Sequence, residues 1–146
     1  MQGYYNVIKK IKDQLKLDSF VNTVTHGSID DVDLEKTTIY PLSHLMVGTT
    51  TYDERILTFN LSLICMDIVD IKKEDTTDNE DDVLNTQLAV ANRLLEILNR
   101  GDLYSDKFQL SGSPTLEPFT DRFKDKVAGW TVSFSVIVQN DMTICN

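Results

Sequence analysis

The side chains that could perform chemistry are few in this sequence and stand far apart. The two histidines, His26 and His44, are distant in sequence from each other and from the two cysteines, Cys65 and Cys145. A protein metal site needs several such ligands at close spacing, so we expect the histidines to be exposed or hydrogen-bonded. Cys65 alternates with large apolar residues along one segment, which predicts a small buried hydrophobe.

The most acidic stretch, residues 70–82, holds seven acidic residues against two lysines. Residues 78–82 are rich in oxygen ligands but lack the glycine and the final glutamate of an EF-hand loop, so we expect a solvated loop. Gly112 and Ser113 lack the strand–turn–helix context of a nucleophile elbow, and the six glycines are too scattered to form a phosphate-binding loop. We predict no metal site, no cofactor and no enzymatic activity.

Length and charge narrow the class of protein. A chain of 146 residues has the size of one domain, residues 1–146, and can bury a core without disulfides. Its formal net charge of −9 argues against a protein that grips phosphates, because such binding depends on lysine and arginine. The same charge suits a protein that lets DNA pass without binding it.

Three elements dominate the hydrophobic pattern. In residues 55–66 and again in residues 130–138, every second side chain is large and apolar, which predicts two long strands with one buried face each. Residues 82–100 predict an amphipathic helix, with Gly101 as its C-cap. Its apolar stripe consists of Leu84, Leu88, Ala91, Leu95 and Leu98, widened by Val90, Leu94 and Ile97.

Weaker signals complete the expected fold. In chain order they are a helix over 4–16, a short strand within 20–25, an acidic loop over 30–35, a strand over 39–47, a polar turn over 48–54, a loop over 102–114, an extended segment over 116–123 and a polar turn over 124–126. The strand at 39–47 should form an antiparallel hairpin with residues 55–69, and Pro118 places its own segment at the periphery. We predict an α+β fold: a mainly antiparallel sheet of four to five strands, one long helix on one face and a short N-terminal helix.

A charge cluster and a tryptophan near the C-terminal end are the candidate contact residues. Arg122, Lys124, Asp125 and Lys126 surround the turn before the last strand, and Trp130 follows it. They form either a solvated hairpin tip with a core tryptophan or a contact with a neighbouring subunit, since aromatic residues are enriched in contact hot spots. We take these five residues as the candidate subunit interface.

Several of these pieces together resemble the tail-terminator and neck proteins of tailed phages. The pieces are Tyr40-Pro41-Leu42, the strand 56–66, the helix 83–100, and Asp121-Arg122-Phe123 leading through Ala128-Gly129-Trp130 into the last strand. Residues 81–87 and 140–145 are also similar to segments of structural proteins from phages of the crAss-like type. The resemblance covers most of the chain in its order of elements, and none of its motifs is catalytic.

The resemblance implies a virion component that is made in the host cytoplasm. Such proteins form rings of six or up to twelve copies between the portal and the tail, around the DNA channel. The implied partners are further copies of this chain and the neighbouring portal, connector or tail proteins, with no membrane and no specific DNA binding. A tail terminator and a connector ring under the portal both remain open.

The acidic residues are expected to face the DNA channel of such a ring. They are Glu74, Asp75, Asp78, Glu80, Asp81 and Asp82. Two alternatives are an outward, solvated loop and a loop that grips a basic patch on the next ring. A different class of function also stays open, namely a small non-enzymatic protein-binding module that is monomeric or dimeric, and the mass in solution discriminates it from a ring.

Overall fold

The computed structural model describes residues 4–29, 32, 39–69, 80–100, 108–122 and 127–139. Two helices and five strands occupy these ranges. They are α1 (Tyr4–Lys16), β1 (Thr23–His26), β2 (Leu42–Asp53), β3 (Ile56–Ile68), α2 (Glu80–Arg100), β4 (Gln109–Arg122) and β5 (Val127–Gln139). The predicted α+β class is confirmed, with the long helix α2 packed on the sheet and α1 as the short N-terminal helix.

The five strands form one sheet in the order β1-β2-β3-β5-β4. The predicted hairpin of β2 and β3 is present, and β3, β5 and β4 continue the antiparallel pairing. The short β1 runs parallel to β2, so the sheet is mixed. β4, which contains Pro118, is an edge strand, as the missing proline N–H requires.

Both helices cover the same face of the sheet. α1 buries Val7, Ile8, Ile11 and Leu15 against β1 and β2, while α2 lies over β3, β5 and β4. The alternating side chains of the strands meet them, so that Leu61, Leu63, Val132, Phe134 and Val136 lie in the main core. Such alternation places one set of residues in the core and leaves the other set on the opposite face.

A smaller apolar cluster covers one end of the opposite face. It contains Leu42, Ile64, Met66 and Val127, and Tyr40, whose peptide bond to Pro41 is cis, packs with them. Farther along the strands the opposite face carries hydroxyl and amide side chains. The sheet is therefore covered on one face and largely uncovered on the other, within the ranges that the structure describes.

Two predicted breaks in the strands are wrong. The expected turn at residues 48–54 is the continuation of β2, which reaches Asp53 through a register shift between Val47 and Thr50. The expected loop at residues 109–114 belongs to β4, where Gly112 (φ 69°) lies inside a register shift. In both places a bulge absorbs the glycine without ending the strand, and the β-branched threonines 49–51 suit extended backbone.

The long helix begins earlier and faces the sheet differently than predicted. It starts at Glu80, so Glu80 and Asp81 belong to its first turn and not to the expected loop. Its buried residues are Val83, Gln87, Val90, Ala91, Leu94 and Leu98. Ala91 and Leu98 of the predicted stripe, and Val90 and Leu94 beside it, are therefore buried as expected. The predicted leucines at 84, 88 and 95 are half-buried flanks, since the first half of the helix turns Val83 and Gln87 toward the sheet instead.

Candidate interaction surface

Trp130 joins the sheet to α2. It pairs with Cys65 on β3 and with Pro118 on β4, so it lies on an interior strand and not at the sheet edge. Its indole Nε1 donates a hydrogen bond of 2.8 Å to the carbonyl oxygen of Leu84 in α2. The ring is half-buried, so one part of Trp130 holds the helix while another part stays accessible.

The other predicted interface residues are placed only in part. Arg122 is the last residue of β4 and pairs with Val127, the first residue of β5. Lys124, Asp125 and Lys126 lie outside the described residues, and so does Cys145. The structure therefore brings the backbone of Arg122 to the start of the strand that carries Trp130.

The acidic residues divide into two groups. Glu80, Asp81 and Asp82 form the first turn of α2, where carboxylates interact favourably with the positive end of the helix dipole. Asp81 and Asp82 are exposed. Glu74, Asp75 and Asp78 lie outside the described residues, as does most of the acidic loop predicted at 30–35.

Sequence reasoning missed a basic surface on α1. Tyr5, Lys9, Lys12 and Lys16 follow one another at spacings of four, three and four residues, which places them on one flank of a helix. We call these four residues the α1 ridge. The spacing was visible in the sequence, but the lysines alternate with the buried residues of α1 and read as an ordinary solvated face.

Polar contacts fix the position of the α1 ridge. Lys9 Nζ contacts the carboxylate of Asp13 at 2.6 Å, and this hydrogen bond is the main reason that the pKa of Asp13 lies below its usual value. Lys12 Nζ lies 3.0 Å from Nδ1 of His26 on β1. Because an ammonium group can only donate, Nδ1 of His26 accepts. The ridge and His26 border a groove of about 450 Å³.

The segment after α1 is tied to α2 by an ion pair. Arg93 donates from Nε and a terminal nitrogen to the two carboxylate oxygens of Asp18, at 2.7 and 2.8 Å. The Arg93 guanidinium also lies 5.4 Å from the ring centre of Phe20. Burial raises the pKa of Asp18, but the Arg93 hydrogen bonds, the Phe20 N–H and the charge of Arg93 outweigh it, so the net shift is downward.

The uncovered face of the sheet carries a groove lined by hydroxyl and amide groups. The groove measures about 440 Å³ and includes Asn60, Ser62, Ser133 and Ser135. Ser135 Oγ lies 2.5 Å from Oδ1 of Asn60, and the Asn60 amide donates to the carbonyl of Thr49. These side chains therefore bridge neighbouring strands and leave a polar, uncharged surface.

The structure brings the two histidines onto neighbouring strands, although the sequence separates them. His44 is fully buried; its Nε2 lies 2.8 Å from the carbonyl of Gly27 and its Nδ1 lies 2.6 Å from Thr25 Oγ1. The carbonyl must accept, so Nε2 carries a proton. Burial, aided by the nearby His26, lowers the pKa of His44, which favours the neutral imidazole. His44 thus acts as a structural link between β1 and β2.

The described cysteine is poorly suited to nucleophilic chemistry. Cys65 is fully buried in the main core, and burial raises the pKa of its thiol to about 12. Its expected role as a small buried hydrophobe is confirmed. Among the described residues no three His, Cys, Asp or Glu side chains gather as metal ligands would. Neither described helix is long and apolar enough to span a membrane.

Comparison with known proteins adds no relative. A scan against protein-family models gives no match to this chain, and a search among curated proteins gives no significant match either.

Proposed function

We propose that this chain is a virion structural protein that forms a ring around the DNA channel at the head–tail junction of a tailed phage. One observation carries the proposal. β1 pairs with β2 only along Leu42–Leu45, while β2 continues to Asp53. The hairpin of β2 and β3 therefore extends past β1, with one side of β2 unpaired from Met46 onward within the described residues.

An unpaired strand edge of this kind suits a subunit that completes its contacts with neighbours. A long unpaired strand edge is a ready template for another chain, and monomeric proteins usually blunt it with lysine, proline, a bulge or short length. Segment 46–53 contains neither lysine nor proline, and beyond its bulge between Val47 and Thr50 the strand continues to Asp53 with Tyr52 exposed. The order of elements that underlies the resemblance to tail-terminator and neck proteins is also present.

Trp130 and four charged residues near it in the chain form the proposed subunit interface. Part of Trp130 remains accessible beside the N-terminal half of α2, and Arg122, Lys124, Asp125 and Lys126 precede it in the chain. An aromatic anchor next to charged residues is the usual composition of a contact hot spot with a polar rim.

The acidic segment fits the wall of a DNA channel. With a net charge of −9 per copy, a ring accumulates negative charge that repels phosphates and lets DNA pass without binding. We place three acidic residues at this wall, namely Glu74, Asp75 and Asp78. Three further acidic residues, Glu80 to Asp82, follow them in the first turn of α2. The remaining partners are the portal, connector or tail proteins above and below the ring.

Localisation inside the virus particle tests the proposal. We expect a reconstruction of the particle to show six or twelve copies closed into a ring between the portal and the tail. Copies placed in the capsid shell, or single isolated copies, would refute it. Should the chain be missing from particles and remain a monomer or dimer in solution, the protein-binding module takes the place of the ring.

A further inference from the structure

The α1 ridge concentrates positive charge in a chain whose net charge is −9. α1 contains four lysines and a single acidic residue, Asp13, which is already paired with Lys9. Lys12 and Lys16 lie on the same flank, and His26 of the edge strand β1 adjoins them. The ridge is thus a local basic surface at the β1 edge of an otherwise acidic protein.

Exposed apolar side chains gather in the same region. Tyr5 is 86% exposed and Tyr4 43% exposed, and their rings meet edge to face. Both tyrosines line the groove beside the ridge lysines. Leu17 and Phe20, directly after α1, are also large and exposed, but they lie beside Arg93 of α2. Aromatic groups next to lysines mark this surface as a contact site for an acidic partner.

The chemistry of the ridge favours a protein partner over a membrane or DNA. A helix that lies on a membrane inserts its apolar face, but Val7, Ile8, Ile11 and Leu15 of α1 are already buried in the core. DNA binding requires several cations that displace counterions, and the ridge offers three lysines in a chain that repels phosphates overall. A small cluster of protein carboxylates matches the ridge in size and charge.

We infer that the α1 ridge binds the acidic first turn of α2, at Asp81 and Asp82, in a second copy of this chain. This contact rests on the proposed ring and names the surfaces that join its subunits. Both acids are exposed and are held on a helix. Their charge is opposite to that of Lys12 and Lys16, and every copy carries both surfaces.

The two surfaces lie at different places on the chain. The ridge lies beside β1, whereas the first turn of α2 lies where Val83 packs on Val69 and Ala128, at the end of β3 and the start of β5. Two such surfaces can meet reciprocally in a two-fold dimer or head-to-tail in a heterologous contact, which generates rings or filaments. The proposed ring requires the head-to-tail contact. Asp81 and Asp82 then serve the contact between subunits, and Glu74, Asp75 and Asp78 stay with the channel wall.

Charge-reversal variants of the α1 ridge and of the first turn of α2 test the contact. Each lysine-to-glutamate substitution changes the net charge by −2, so K12E/K16E carries −13 instead of −9. Each aspartate-to-lysine substitution changes it by +2, so D81K/D82K carries −5. We expect wild-type protein to self-associate at low ionic strength and to dissociate as salt is added. Each double variant should raise the Kd of self-association by about tenfold or more, measured by sedimentation velocity over a concentration series.

The combined variant K12E/K16E/D81K/D82K restores opposite charges at the contact and the wild-type net charge, so it should associate as wild type does. The control N92E/N99E/R100E, at three exposed positions of α2, also carries −13 but leaves the ridge intact, and it should associate normally. Circular dichroism verifies the fold of each variant. If D81K/D82K fails to fold, D81N/D82N removes the acids without placing lysines at the helix start.

Three results would overturn the contact: a wild-type monomer at high concentration and low salt, unchanged association of K12E/K16E, or no recovery in the combined variant. None of them refutes the ring itself, since neighbouring proteins in the particle can template it. The ring function fails instead if the particle reconstruction shows no ring of this chain, whatever the charge variants do.

Discussion

The indole Nε1 of Trp130 and the carbonyl oxygen of Leu84, 46 positions apart in the chain, are joined by a hydrogen bond of 2.8 Å. This bond holds the N-terminal half of α2 against β5. It also explains why a half-buried tryptophan, large enough to serve as a contact anchor, has a fixed orientation in the monomer.

Replacement of Trp130 by phenylalanine should lower the free energy of unfolding by about 1 kcal/mol, the usual net value of a hydrogen bond. A phenyl ring replaces the larger indole, so an aromatic side chain still packs between β5 and α2. Urea denaturation of the two proteins measures the difference. An unchanged midpoint would show that the bond to Leu84 adds nothing to stability.

Replacement of Trp130 by alanine separates an interface role from a core role. If the accessible part of the ring contacts a neighbour, W130A impairs assembly more than it lowers monomer stability. The measurement compares assembly per folded molecule for W130A and W130F. Normal assembly of the folded fraction of W130A would make Trp130 a core residue only.

His44 should make stability depend on pH. Its pKa is lowered in the folded state from the usual 6.5, so the unfolded chain takes up a proton first as the pH falls. The stability from neutral, buried His44 is fully present above about pH 6.5 and is lost as the pH falls toward the folded pKa, by at most about 1.4 kcal/mol per pH unit. Urea midpoints from pH 8 to pH 5 measure this.

The variant H44Q should flatten that dependence, while H26Q, at an exposed histidine, should keep it. A proton NMR titration of the wild-type imidazoles assigns the lowered pKa to His44 directly, even if H44Q folds poorly. A His44 resonance that titrates at or above 6.5 would contradict the prediction.

Gly129 has no room for a side chain. A Cβ placed there would lie 1.9 Å from the carbonyl oxygen of Cys65 and 2.8 Å from Cα of Met66, both backbone atoms. We expect G129A to lower the free energy of unfolding by about 3 kcal/mol or more, because β5 must move away from β3.

Gly112 is the matched control for Gly129. Its φ of 69° strains an alanine, but a Cβ there meets nothing within 4 Å. G112A should cost about 1–2 kcal/mol, and equal costs for the two variants would contradict the steric argument.

Gln87 is a polar side chain in an apolar position. It is fully buried, and neither Nε2 nor Oε1 has a hydrogen-bond partner among the described residues. Methionine has a similar shape and no amide to desolvate, so Q87M should raise the free energy of unfolding by about 1–2 kcal/mol. The control Q14M, on the half-buried side of α1, should change it little. A loss of stability in Q87M would reveal that the amide is bonded by another part of the chain.

The sequence predicts this fold well wherever a pattern repeats over many residues. The alternation in β3 and β5 and the periodicity of α1 and α2 all specify their elements. Gly48 and Gly112 misled the prediction, because a glycine in a bulge and a glycine in a turn look the same locally. The Trp130–Leu84 bond and the pairing of His44 with Thr25 depend on which strands become neighbours, and no local pattern encodes that.

The one-sided pairing of β2 beyond Leu45 also has a consequence for amide hydrogen exchange. In an antiparallel strand, successive backbone N–H groups point alternately to the two sides. With β3 on one side only, every second amide from Thr50 to Asp53, beyond the bulge between Val47 and Thr50, should exchange rapidly and the others slowly. A strand that docks there would slow the fast set alone, so the alternation of exchange rates in this stretch records whether the edge is occupied.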